Sequence, residues 1–184
     1  MKETNLRPKI RSTTIVAVKR EGEVAIAGDG QVTLEHTVLK MGARKVRRLY
    51  QDRVIAGFAG SVADAQSLSD KFESKLEASS GNLTRAAVEF AKEWRTDRMM
   101  RKLEAMMIVT DGTSIYILSG DGNVVEPDDG VAAIGSGGMF AASAAKALVR
   151  NTTLSAREIV QEAMKIAAEI CIYTNDRVTV DSLP

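Results

Sequence analysis

Two stacked β-sheets covered on their outer faces by helix pairs, an αββα sandwich of the α+β class, are what this sequence predicts. Two observations carry the prediction. Strand-like runs come in clusters rather than singly, and two stretches of helical periodicity separate and follow those clusters, giving the order β-block, helix pair, β-block, helix pair. Each cluster also holds more apolar side chains than one helix layer can bury, so each sheet needs a second partner, and the other sheet supplies it. A doubly wound parallel sheet would need strands alternating one by one with helices, which this chain lacks.

The elements follow in order. TTIVAV at 13–18 and the apolar run at 23–27 are joined by the polar, glycine-containing KREGE, and AGDGQ breaks the second strand. RVIAGF at 53–58 adds another short strand. From Ser61 the period changes: Val62, Ala65, Leu68 and Phe72 recur at helical spacing up to the SSGN break. Leu83, Ala86, Ala87, Phe90, Ala91 and Trp94 then mark the buried stripe of a second helix. AMMIVTDG, SIYILSGDG and NVVEPDDG read as three strands ending in Asp-Gly turns, a dipeptide that accepts the positive φ of a tight reversal. GSGG leads into MFAASAAKALV, a small-residue helix able to lie close to a sheet. Ser155 and Glu158 form a capping-box pattern ahead of Ile159, Val160, Ala163, Ala167 and Cys171, and VTV closes the chain as a strand.

Composition bounds the function. The chain has 184 residues, enough for one domain with a full core, and 45% of them are hydrophobic. Lys and Arg number 25 against 24 Asp and Glu, so no global field recruits nucleic acid or an anionic membrane, and any charge-dependent role is local. Cys171 is the single cysteine and His36 the single histidine, which removes an internal disulfide framework and His-cluster zinc sites and favours a cytoplasmic setting. No apolar run approaches the length of a membrane span, and the leader MKETNLRPKIRS has no apolar segment of the secretory kind. The expected organisation is a leader or propeptide at 1–12 and one domain at 13–184.

The candidate chemistry starts at Thr13. Two threonines, Thr13 and Thr14, open the first strand directly behind the patternless leader. A cut after Ser12 would give Thr13 a free α-amine, and one residue would then hold both a hydroxyl nucleophile and its base. Asp29, between two glycines where a strand breaks, is either a turn aspartate or a carboxylate presented at a sheet end. In the run RKVRR, strand alternation puts Lys45, Arg47 and Leu49 on one face and Arg44, Val46 and Arg48 on the other, so one cation can face inward while the rest form a solvated face. A lysine close to an α-amine disfavours protonation of that amine, leaving more of it as free base. Ser136, in GSGG, sits at a strand-to-helix junction that offers a hydroxyl and backbone N–H groups. Neither AGDG nor GSGG matches a phosphate-binding GxxxxGK[ST] loop, so no nucleotide is expected on this chain.

From Thr13 onward, TTIVAV, AGDGQVTL, ARKVRRLY, VIAGFAGSVADA, AAVEFAKEWRTDRMMRKLEA, AIGSGG, LSAREIV and ICIYTN resemble, in order, the HslV family, proteolytic subunits of bacterial two-component ATP-dependent proteases and relatives of proteasome β-subunits. The resemblance implies an N-terminal-nucleophile hydrolase fold, two stacked hexameric rings forming a dodecamer, and unfolded protein substrates delivered by the hexameric ATPase HslU. It places the nucleophile on Thr13, the strand-end acid on Asp29, the tuning lysine on Lys45, the neighbouring hydroxyl on Ser136 and a backbone oxyanion donor on Gly57. It also implies a sodium site of backbone carbonyls at Ala168, Cys171 and Thr174, although Ala168 stands where that family usually has glycine. Family members often begin Met-Thr-Thr, whereas this chain has twelve residues ahead of Thr13, so a longer processing step is implied.

Overall fold

Residues 10, 11, 13–103 and 105–184 are described by a computed structural model, so most of the expected leader, residues 1–9 and Ser12, lies outside the described residues. Two antiparallel sheets lie face to face. One is built from β2 (Thr14–Arg20), β3 (Glu23–Gly28), β11 (Val131–Gly135) and β12 (Thr179–Leu183), in the order β11-β2-β3-β12. The other contains β6 (Val46–Leu49), β7 (Val54–Ala59), β8 (Met106–Thr110), β9 (Ile115–Ser119) and β10 (Val124–Val125), in the order β10-β9-β8-β7-β6. Every described ladder is antiparallel, which rules out the doubly wound alternative.

Three apolar layers hold four structural layers together. Helices α1 (Val62–Ala78) and α2 (Leu83–Thr96) cover the five-stranded sheet, where Phe72, Phe90 and Trp94 pack on Val54, Ala56, Phe58, Met107 and Val109. Helices α3 (Gly138–Asn151) and α4 (Ala156–Ile170) cover the four-stranded sheet, with Ala141, Ala145, Ala163 and Ala167 against Val16, Val18, Ala25 and Ala27. Small residues on both sides of that layer let α3 and α4 approach the sheet closely. Between the sheets, Ile15, Ile26, Ile55 and Ile108 interdigitate. Strands with both faces buried explain why these runs are apolar without a clean polar alternation.

Local signals account for most boundaries. The capping box at Ser155 and Glu158 forms, and Ser61 and Asn82 cap α1 and α2 through their side chains. Gly112, Gly122 and Gly130 take the positive φ that the Asp-Gly turns predict. The leader departs from expectation, because Ile10 and Arg11 form β1, pairing with β4 (Val32–Leu34) opposite Leu34 and Thr33. Its pairing needs no pattern of its own, since β4 is held on the other side by β5 (Thr37–Lys40) and offers an edge that templates any extended segment.

Gly57 sits mid-strand in β7 where the two sheets meet. A Cβ there would lie 2.6 Å from Ile15 Cγ2 and 3.0 Å from Ile26 Cδ1. Gly57→Ala is therefore expected to lower unfolding free energy by about 1–3 kcal/mol through overpacking, read as an earlier denaturant midpoint at unchanged slope.

Candidate active site

Thr13 enters β2 buried, and its carbonyl is clamped from the end of β11. Ser136 N–H donates to Thr13 O at 2.9 Å and Ser136 Oγ donates to the same oxygen at 3.4 Å. Gly135 makes this approach possible: it holds φ +91°, and a Cβ there would stand 1.8 Å from Thr13 O, so no larger residue fits without moving the strand start.

Asp29 and Lys45 form the polar centre next to it. Asp29 Oδ1 accepts from Thr14 N–H at 2.8 Å and from Lys45 Nζ at 2.9 Å, while Oδ2 accepts from Gln31 N–H at 2.9 Å. Lys45 Nζ also donates to Gln31 O at 2.5 Å. The side chains are 0% and 7% exposed, so the charges compensate each other in a dry setting where either alone would be costly. Burial pushes the Lys45 ammonium below the usual lysine range, and the Asp29 charge and hydrogen bond pull it back up. The loop between them is held by Asn175, which accepts from Gly30 N–H at 3.1 Å and donates to Met41 O at 3.0 Å.

Thr14 supports the arrangement from behind. Its Oγ1 lies 2.7 Å from Thr174 Oγ1 and accepts from Gly137 N–H at 3.0 Å, joining the strand start to the α3 entrance and to the segment after α4. Neither contact is legible in the sequence, because residues 14, 137 and 174 share no motif.

A cavity of about 330 Å³ opens beside Thr13, lined by Lys45, Val32, Phe58, Gly60 and Ser61 among others. Thr13 and Lys45 thus share one space, with Asp29 behind Lys45 and Ser136 on the Thr13 carbonyl. Gly57 is not brought to it. Phe58 N–H donates to Lys45 O at 3.0 Å, so the Gly57 N–H faces the opposite way, toward Ile108 of β8. Gly60, three residues on in the same GFAG segment, lines the cavity instead. The signal for it was available: it directly precedes Ser61, the N-cap of α1, whose N-terminal turn borders the cavity.

The three residues expected to offer carbonyls to sodium lie at the end of α4. Ala168 is in its last turn, Cys171 is its C-cap and the Thr174 N–H donates to Cys171 O at 3.0 Å. No cluster of His, Cys, Asp or Glu able to hold a metal occurs among the described residues.

A threonine at a strand start, sharing a cavity with a buried lysine between stacked sheets, defines the class of N-terminal-nucleophile threonine peptidases. The proteasome subunit family model matches residues 10–182, and the chain belongs to that family. Among its relatives, the ATP-dependent protease subunit HslV of Pseudothermotoga lettingae is 58% identical over 173 residues, covering 94% of this chain and 98% of that protein. The crystal structure of HslV from Trypanosoma brucei superposes with a TM-score of 0.89 at 48% identity, covering 92% of this chain and 98% of the other. Thiobacillus denitrificans BPH, in a complex with epoxomicin, shares the fold with a TM-score of 0.75 at 19% identity, over 92% and 97% of the two chains. The chain is an N-terminal threonine peptidase of proteasome-like fold.

Removing the Thr14 hydroxyl orphans the buried Gly137 N–H. Thr14→Ala is expected to cost about 1–3 kcal/mol of stability while peptide hydrolysis by the surviving fold continues, and Thr14→Ser is expected to recover most of that loss. Urea melts and a peptidase assay on the three proteins check both halves.

Proposed function

We propose that the chain, cut between Ser12 and Thr13, is the proteolytic core of a two-component ATP-dependent protease that degrades unfolded proteins delivered by a hexameric ATPase of the HslU type. The observation that carries this reading is the shared cavity of Thr13 and Lys45, with Lys45 locked by Asp29. The working assembly in this reading is a cytoplasmic dodecamer of two stacked hexamers, which encloses the sites. No described helix is long and apolar enough to cross a membrane.

In the reaction, Thr13 Oγ1 attacks the substrate carbonyl as its proton passes to the Thr13 α-amine. The Lys45 cation keeps that amine unprotonated beforehand, and Asp29 acts as a positioning residue by holding Lys45. Negative charge developing on the carbonyl oxygen is met by backbone N–H groups around Gly60 and by the positive end of α1. The ammonium proton then goes to the leaving amine, the acyl group stays on Oγ1 as an ester, and water hydrolyses it to regenerate Thr13. Ser136 holds the Thr13 carbonyl and so fixes the direction of the amine.

Sodium is the cation proposed for the α4 end. The carbonyls of Ala168, Cys171 and Thr174 are hard oxygen donors at the negative end of a helix dipole, which suits a hard cation. Bound there, it would supply a fixed positive charge that steadies the segment carrying Thr174, and with it the contact to Thr14.

Thr13→Ala is expected to abolish peptidase activity without disturbing folding, and mass spectrometry of active protein should find Thr13 as the first residue. Activity in a chain that retains residues 1–12 would overturn the mechanism. For the cation, Thr13→Ala protein is expected to melt at a higher temperature in sodium chloride than in choline chloride of equal ionic strength; equal melting temperatures would remove sodium from the account.

A further inference from the structure

The run Arg44-Lys45-Val46-Arg47-Arg48 divides its cations in an uneven way. Lys45 is ion-paired with Asp29 at 2.9 Å, and Arg48 is paired with Asp181 at 2.5 Å. Arg44 and Arg47 line the cavity beside Thr13, together with Lys40 from the end of β5. Among the described residues, none of these three has a carboxylate within ion-pair distance. Arg47 is half-buried and donates only to the neutral amide oxygen of Gln66, whose own amide nitrogen is turned to Asp70 at 2.7 Å. Lys40 and Arg44 are exposed where the cavity opens. The remaining walls, Val32, Ala43 and Phe58, are apolar and carry no compensating charge.

The site therefore holds a local surplus of positive charge in a chain whose formal net charge is only +1. A concave wall of low polarity focuses such a field. A half-buried guanidinium with a neutral partner also gains more from a carboxylate than an exposed cation does. We infer that the cavity beside Thr13 selects acidic substrate segments: a chain with Asp or Glu among the three residues on the acyl side of the scissile bond is cut faster than its amide counterpart, the carboxylate meeting Arg47, Arg44 or Lys40. This rests on the peptidase reading and specifies its substrate.

The test uses processed, assembled enzyme and matched fluorogenic peptides that differ only by Glu or Gln at the first, second or third residue before the bond. At about 0.05 M salt, kcat/KM for Glu is expected to exceed that for Gln by about fivefold or more at one position at least, and the ratio to shrink toward one at about 0.5 M as screening sets in. In Arg44→Gln and Arg47→Gln the Glu/Gln ratio is expected to fall. Equal or faster cleavage of Gln at all three positions overturns the inference, and so does a Glu preference that survives both high salt and both substitutions. Hydrolysis with no charge preference leaves the peptidase reading intact, whereas no hydrolysis of any peptide would sink that reading and this one together.

Discussion

The buried contact between Asp29 and Lys45 is the constraint around which the site is organised. Asp29 is fully buried, yet both carboxylate oxygens are occupied, by the Thr14 and Gln31 backbone N–H groups and by the Lys45 ammonium. One side chain thus fixes the start of β2, the turn after β3 and the entry to β6. Losing either partner would leave an uncompensated charge in a dry interior, a larger penalty than the pair's own net attraction. The arrangement is better understood as specifying one geometry than as adding stability. In the proposed mechanism the lysine is the cation that disfavours protonation of the Thr13 amine, and burial already weakens its own grip on a proton.

Four layers can be read from this sequence because their signals are long. The stripe Leu83, Ala86, Ala87, Phe90, Ala91 and Trp94 is wholly buried on the sheet-facing side of α2, and the Ser155 capping box starts α4 where the pattern places it. The hairpin of β4 and β5 is not legible. Its strands are short, and Val38, Leu39 and Met41 are apolar yet exposed, so alternation carries no information about which face is inside. β1 is illegible for a different reason: its conformation comes from the edge it lies on rather than from Ile10 and Arg11 themselves.

Within the site, side chains were easier to read than backbone. Thr13, Asp29, Lys45 and Ser136 stand in distinct local patterns, and the structure gathers them around one strand start. Glycines are harder, because GFAG contains two and the choice depends on which way each peptide faces. Strand pairing turns the Gly57 N–H toward β8, and only Gly60 reaches the cavity. The bridge from Thr14 to Thr174 joins residues far apart in the chain through hydroxyls that carry no signature.

The pairing of β1 with β4 has a consequence for what a mature chain can recognise. While residues 10 and 11 lie along β4, the outward-facing main-chain groups of β4 over Thr33 and Leu34 are spoken for, the inward-facing ones being taken by β5. Severing the chain after Ser12 would free that segment to leave, and a short sheet margin leading toward Thr13 would stand with its main-chain groups unmatched. Such a margin grips any extended polypeptide by the atoms all residues share. Holding and choosing would then be separate tasks: the main chain of the visitor is held without regard to sequence, and only the neighbouring hollow discriminates among its side chains.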